Sequence, residues 1–247
     1  MDLVTDQTRS PRGYRSDGLH GRLVHDLGAR IVAGAFVPGD TLPTESRLVE
    51  EFGSSRSAVR EATKVLVAKG LVVPRTKVGT VVQPEEAWNL LDPDVLAWRY
   101  EGDATPGQLD DLAGLRVALE PEAARLAARA RSKSVVRPIR EAYERMAATI
   151  EDPDAFIGHD LEFHRAVVRA GGNQLLSHLN DLMGVAFAAA RQVHTRNVRR
   201  NKRTLPAHLA VLEAVESRDP DEAARLMRDL VRGAQHDIRR DTRTTRS

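Results

Sequence analysis

The chain has 247 residues, 41% of them hydrophobic, no cysteine and a formal net charge of +2. That length can hold two domains with proper cores and that composition excludes wholesale disorder, while no apolar run approaches the roughly 20 residues of a membrane span. Without cysteine there are neither disulfides nor thiolate ligands, and so small a net charge means that any nucleic-acid binding must come from local clustering.

Residues 1–17 carry Pro11 and Gly13 without helical periodicity and lack the apolar stretch of a signal peptide, so they are expected to be a flexible tail on a cytoplasmic protein. From Leu19 apolar residues recur at Leu23, Leu27 and Ile31, which predicts a first helix ending near Gly34. After VPGDTLP, Thr44 can cap a short helix with Leu48, Val49 and Phe52 on its apolar face, and Gly53 ends it. The stretch Ser54–Gly70 then predicts a helix of about four turns, with Ser54 as its N-cap and Gly70 just past its end. Ala58, Val59, Ala62 and Leu66 make one face apolar, and Arg56, Arg60 and Lys64, four residues apart, make another basic. Two helices joined by a glycine-containing turn are the helix-turn-helix pattern. The following LVVPRTKVGTVVQ reads as a β-hairpin with a basic tip, so residues 18–84 are expected to form a winged helix-turn-helix.

This order, AGAFVPGDTLPTESRLVEEFGSSRSAVREATKVLVAKGLVVPRTKVGT, resembles the DNA-binding domain of the GntR family of bacterial transcription regulators. The resemblance implies that Ser55, Arg56, Ser57 and Arg60 contact operator bases and phosphates, and that the wing, Arg75, Lys77 and Gly79, approaches the minor groove. Near Ser46 and Arg47 that family often places a basic contact at the start of the second helix. Arginine suits base reading because its fork reaches guanine O6 and N7 together, whereas Ser55 and Ser57 suit phosphate positioning. For Arg60 the competing partner is Glu61 or solvent; for Lys64, far along the helix, solvent is the better assignment.

Residues 85–104 are a linker whose Trp88, Leu90, Leu91, Val95, Leu96 and Trp98 are too apolar for a loose tether, so the segment is expected to pack on a domain. WNLLDPDVLAW resembles the linker of the galactonate-responsive branch of the family, which implies a sugar-acid effector. Residues 105–240 read as helix throughout, with candidates at 107–131, 133–150, 154–170, 173–200, 204–217 and 220–238; residues 241–247 are expected to be a tail. The basic run RNVRRNKRT is expected as a loop and Asn173 as a helix cap. The fold class is therefore mainly α: a winged helix-turn-helix followed by an all-α bundle of about six helices.

Within that bundle, Asp160 and His164 lie four residues apart inside the stripe Ile157, Leu161, Val167 and Val168. His208 sits among Leu205, Leu209, Leu212 and Val215. A carboxylate and two imidazoles on inward faces suit an oxygen/nitrogen metal site, the alternative being that each histidine bonds a core carbonyl. Arg116, between Leu112 and Leu119, needs an anionic partner, with Glu120 four residues on as the structural candidate.

The stretches LRVALEPEAARLAA, HDLEFHRAVVRAGGN and HLAVLEAVESRDPDEAARLM resemble the FCD effector domain of the FadR subfamily. That resemblance implies a divalent metal, with Zn²⁺ the expected ion, held by Asp160, His164 and His208, and an arginine, Arg116, reaching the carboxylate of the ligand. The subfamily's fourth ligand falls 22 residues after His208, where this chain has Leu230; His236 faces away, and His194 is expected at the surface. The expected protein is a homodimeric, DNA-binding regulator, a repressor released from a palindromic operator by a small carboxylate. The competing readings are a regulator for which the metal is itself the signal and a metal-dependent hydrolase. No general base beside the three ligands supports the hydrolase, so no catalytic residue is assigned.

Overall fold

The computed structural model describes residues 19–100, 104–130, 132–195 and 197–244, so the expected tail at 1–17 lies outside the described residues. The chain divides into two compact units, residues 1–102 and 103–247. Helices dominate both, and the sheet found among the described residues is a two-stranded hairpin in the first.

In the first unit, α1 (Leu19–Val32), α2 (Glu45–Phe52) and α3 (Arg56–Ala68) precede a hairpin of β1 (Val72–Arg75) and β2 (Gly79–Val82). Thr44 caps α2 by accepting from the amide of Arg47. The cap of α3 is Ser55 and not Ser54: Ser55 holds the extended backbone of an N-cap and its hydroxyl accepts from the amide of Ala58, while Ser54 is drawn into the interior. The strands pair antiparallel with Val72 opposite Val82 and Arg75 opposite Gly79. Leu23, Leu27 and Ile31 of α1 meet Leu48, Val59 and Leu66 in one core.

The segment after the hairpin is part of that core. A short 3₁₀ turn (Glu85–Ala87) leads to α4 (Pro93–Tyr100), and Trp88, Val95 and Trp98 join the same cluster. Two glycines make the close approach possible: a Cβ on Gly28 would lie 2.3 Å from the Trp98 ring, and one on Gly70 would lie 2.2 Å from the carbonyl oxygen of Ala87. Gly70 also has φ +76, which disfavours any side chain there. Lys69, nearly buried, closes the arrangement by pairing with Asp92 at 2.7 Å and Asp94 at 2.6 Å. A buried ammonium needs such partners, and here they come from the segment expected to be a linker.

The second unit is a bundle of α5 (Pro106–Ala128), α6 (Lys133–Ala148), α7 (Pro153–Ala170), α8 (Gln174–Leu182), α9 (Gly184–Thr195), α10 (Val198–Glu216) and α11 (Pro220–Thr244). α5 runs along α7 and α11, α6 along α7, and α10 against α5, α6 and α11. Phe156, Phe163, Met146, Leu212 and Met227 fill the centre. Three expectations change. The helix predicted over 173–200 is two helices and the start of α10, with a break between α8 and α9 at Met183 and with Asn173 capping α8 through the amides of Leu175 and Leu176. Most of the basic run expected as a loop is the first turns of α10, because Asn197 caps the helix at the amide of Arg200. The last helix continues to Thr244, past its predicted end at 238, and 245–247 lie outside the described residues.

Candidate functional site

Packing of α3 on α1 through Val59, Ala62 and Leu66 turns the opposite face to solvent. Ser55, Arg56, Ser57 and Arg60 are all exposed there, as are Ser46 and Arg47 on α2. Arg60 is held across the two helices rather than by Glu61: its Nε donates to Glu45 Oε1 at 3.1 Å and Oε2 at 3.2 Å. Lys64 donates to Glu61 at 2.7 Å. At the hairpin, Arg75, Lys77 and Gly79 are exposed on a tight turn in which Lys77 has φ +63. Exposed hydroxyls, a helix N-terminus and two guanidinium groups on one face, with a cationic tip beyond, suit phosphates and base edges.

Within the second unit, α7 carries Asp160 and His164 one turn apart and α10 brings His208 to the same point; all three are buried. Their ligand atoms lie within 4.8 Å of one another. His208 Nε2 is 3.0 Å from Asp160 Oδ1, and His164 Nε2 is 3.8 Å from the same oxygen. His208 Nδ1 donates to the carbonyl of Thr204 at 3.0 Å. A carbonyl only accepts, so in its neutral form the ring presents the Nε2 lone pair to the carboxylate. That nitrogen, buried and close to Asp160, has no hydrogen-bond partner. An imidazole nitrogen and a carboxylate oxygen both offering lone pairs across 3.0 Å are what a cation reconciles, so the donors present fit a divalent metal. The rings of His164 and His208 stand edge to face, each also edge to face with Phe163, which fixes their orientation.

Leu230, where the resemblance implies a fourth ligand position, is packed into the apolar core. His236 is exposed, and the side chain of His194 lies outside the described residues.

Arg116 and Glu120 of α5 face the same region. Arg116 Nε donates to Glu120 Oε1 at 2.7 Å and Nη2 reaches Oε2 at 3.5 Å; His164 Nδ1 meets Oε2 at 2.6 Å. Burial pulls the Arg116 guanidinium's pKa down, but Glu120, with a smaller contribution from Asp160, outweighs it and holds it above the ordinary arginine value. The group stays charged. A cavity of about 10 Å³ lies against Arg116 and Glu120, closed over by Leu176 and Leu179 of α8, by Met183 and by Phe187 of α9. It holds at most a water. None of the residues of α8 is buried, so the cover is the least anchored helix around it.

Glu45 and Glu120 are the two residues whose importance the sequence understated. Glu120 was legible only as a local partner at i+4. Glu45 follows a helix cap, a position common for acids, and nothing local marks its reach to Arg60.

A winged helix-turn-helix joined to a helical bundle is the architecture of a DNA-binding regulator. Residues 19–82 match the gntR family of bacterial regulatory proteins, and residues 111–233 match the FCD domain. The galactonate operon transcriptional repressor of Escherichia coli K12 is 34% identical over 82% of this chain and 89% of its own length. The Glc operon transcriptional activator of the same strain is 34% identical over 84% of this chain and 85% of its own. The solved structure of E. coli McbR/YncC shares the fold at 17% identity and a TM-score of 0.50, covering 91% of this chain and 99% of that one. The chain belongs to the GntR family, with an FCD domain, and is a DNA-binding transcriptional regulator rather than an enzyme. Among the described residues no helix is long and apolar enough to cross a membrane.

Proposed function

We propose that the protein is a cytoplasmic homodimer that represses transcription from a palindromic operator and is released by a small carboxylate bound in the bundle. In this reading residues 18–84 bind DNA and residues 105–240 bind the effector and a second copy of the chain. Ser55 and Ser57 position phosphates, Arg56 and Arg60 read base edges, and Arg75, Lys77 and Gly79 follow the minor groove. Two copies related by a two-fold axis present two recognition helices to the two half-sites.

The observation that carries the sensory half is the buried convergence of Asp160, His164 and His208, with Arg116 beside them. These three residues would hold a divalent metal, Zn²⁺ by preference, since three protein donors leave open positions. When bound, the metal supplies a Lewis-acidic centre for the oxygens of an acid. Arg116 supplies a planar cation for the acid's carboxylate, and Glu120 keeps that cation paired until the acid arrives. Because the cavity over Arg116 holds at most a water, an acid enters only as α8 lifts. The acid then acts through its different affinity for the closed and lifted arrangements. The name of one relative, a galactonate operon transcriptional repressor, supports a sugar acid or hydroxy acid as effector.

Fluorescence anisotropy on the DNA upstream of its own gene, at fixed salt and with a panel of sugar and hydroxy acids, tests the reading. Release by one acid is the expected result. Tight DNA binding that no acid relieves but that Zn²⁺ removal alters makes the metal itself the signal, a reading that the closed cavity favours.

A further inference from the structure

We infer that Glu120 is a positioning residue that sets the tautomer of His164, and through it how tightly the bundle takes up a metal. The inference rests on the metal reading of Asp160, His164 and His208, yet it makes a claim about the metal-free protein that stands apart from it.

Both oxygens of Glu120 are committed. Oε1 accepts from Arg116 Nε at 2.7 Å, and Oε2 lies 2.6 Å from His164 Nδ1 and 3.5 Å from Arg116 Nη2. A guanidinium only donates, and a carboxylate paired with it only accepts. His164 must therefore carry a proton on Nδ1, and in its neutral form that leaves the lone pair on Nε2, the nitrogen that looks toward Asp160. With burial of 93% or more at Arg116, Glu120 and His164, water does not offer His164 an alternative partner. His208 reaches the same tautomer by another route, through the carbonyl of Thr204. A carbonyl on its own helix fixes His208 locally, whereas His164 depends on a side chain from α5 that is shared with an arginine.

Sharing makes the arrangement sensitive to one atom. Replacing Glu120 by glutamine keeps the shape but leaves one acceptor and one donor. Arg116, which only donates, takes the amide oxygen, so the amide NH₂ turns to His164 Nδ1. That nitrogen must then accept, the proton moves to Nε2, and the lone pair a metal needs is gone. Removing the arginine as well reverses the outcome, because the single amide oxygen is free to accept from His164 again.

The test uses the full-length protein in mildly alkaline buffer. In ¹⁵N-histidine NMR without metal, the imidazole identified by its loss in His164→Gln is expected in the Nδ1–H form in wild type, in the Nε2–H form in Glu120→Gln, and again in the Nδ1–H form in Arg116→Met/Glu120→Gln. Zn²⁺ affinity by chelator competition is expected to fall at least tenfold in Glu120→Gln and to recover in part in the double variant. A wild-type His164 in the Nε2–H form overturns the inference, and needs no variant to fold. An unchanged tautomer in Glu120→Gln overturns it too, whatever happens to affinity. A wild-type protein that follows the tautomer pattern but binds no Zn²⁺ upholds the role of Glu120 and overturns the metal reading instead.

Discussion

Two arginine–glutamate pairs of similar length do opposite things in this molecule. Arg60–Glu45 joins α2 to α3 at 3.1 Å, with side chains 68% and 46% exposed. Arg116–Glu120 spans one turn of α5 at 2.7 Å, with side chains 8% and 4% exposed. The exposed pair opens at little cost, since water and salt replace each partner, so Arg60 can be steered by Glu45 and still be surrendered to DNA. The buried pair cannot open without another anion in place, because an unpaired charge in a core is heavily penalised. In the function proposed, solvent rather than chemistry would make one arginine a reader of DNA and the other a gate for an acid.

The sharpest way to break this contrast is Arg116→Ala beside Glu45→Ala. Leaving Glu120 without its guanidinium is expected to cost about 3–5 kcal/mol in urea unfolding of the full chain, against about 0.5 kcal/mol or less for losing the surface pair. Equal losses would mean that the Arg116 pair is hydrated. Response of DNA binding to any acid that releases wild type should vanish in Arg116→Ala. A normal response there returns Arg116 to a purely structural role.

Zinc binding separates the two regions next. At 100 times its Kd the ion should stabilise the bundle by about 2.7 kcal/mol, and a His164→Gln/His208→Gln variant should show no such gain. Stabilisation that persists in the variant would place the ion elsewhere. Arg60→Ala comes third, with about 1–3 kcal/mol lost from specific operator binding and no change in zinc response. The salt dependence of DNA binding should weaken if Arg60 also meets a phosphate; anisotropy across a salt series reads both.

How much of this was legible in the sequence follows the same division. Spacing within one helix was readable: Ser55, Arg56, Ser57 and Arg60 on an open face, Asp160 and His164 one turn apart, Glu120 four residues after Arg116. Those are local relations set by the helical period. Relations between elements were not. Nothing local joins Glu45 to Arg60, Lys69 to Asp92 and Asp94, or Glu120 to His164, because each pairing exists only after helices pack. The segment 85–100 shows both cases. Its tryptophans announced that it packs, but nothing in sequence showed that Gly28 and Gly70 admit it: Gly70 read only as a helix end. Helix ends were misplaced where side chains cap unexpectedly: Asn197 turned an apparent basic loop into the start of α10.

Lys64 gives the smallest effect and the finest test of where the recognition face stops. It follows Arg60 by one turn on the same basic stripe, yet its ammonium is taken up by Glu61 at 2.7 Å with both side chains well exposed. The hydrogen bond and charge of Lys64 hold the Glu61 carboxyl below the usual carboxylate range. A group whose folded pKa is lowered contributes its stability above the unfolded value and loses it as pH falls through the folded one. Whatever the pair contributes is therefore present at neutral pH and lost in acid, and salt screens it because water surrounds it. Lys64→Ala should shift the urea midpoint at neutral pH barely beyond error, less still in acid or high salt, and should leave specific operator affinity where wild type has it. If instead Lys64→Ala weakens operator binding as much as Arg60→Ala, the helix lies along the groove for its full length, and Glu61, like Glu45 in the proposed reading, would be a partner that DNA displaces.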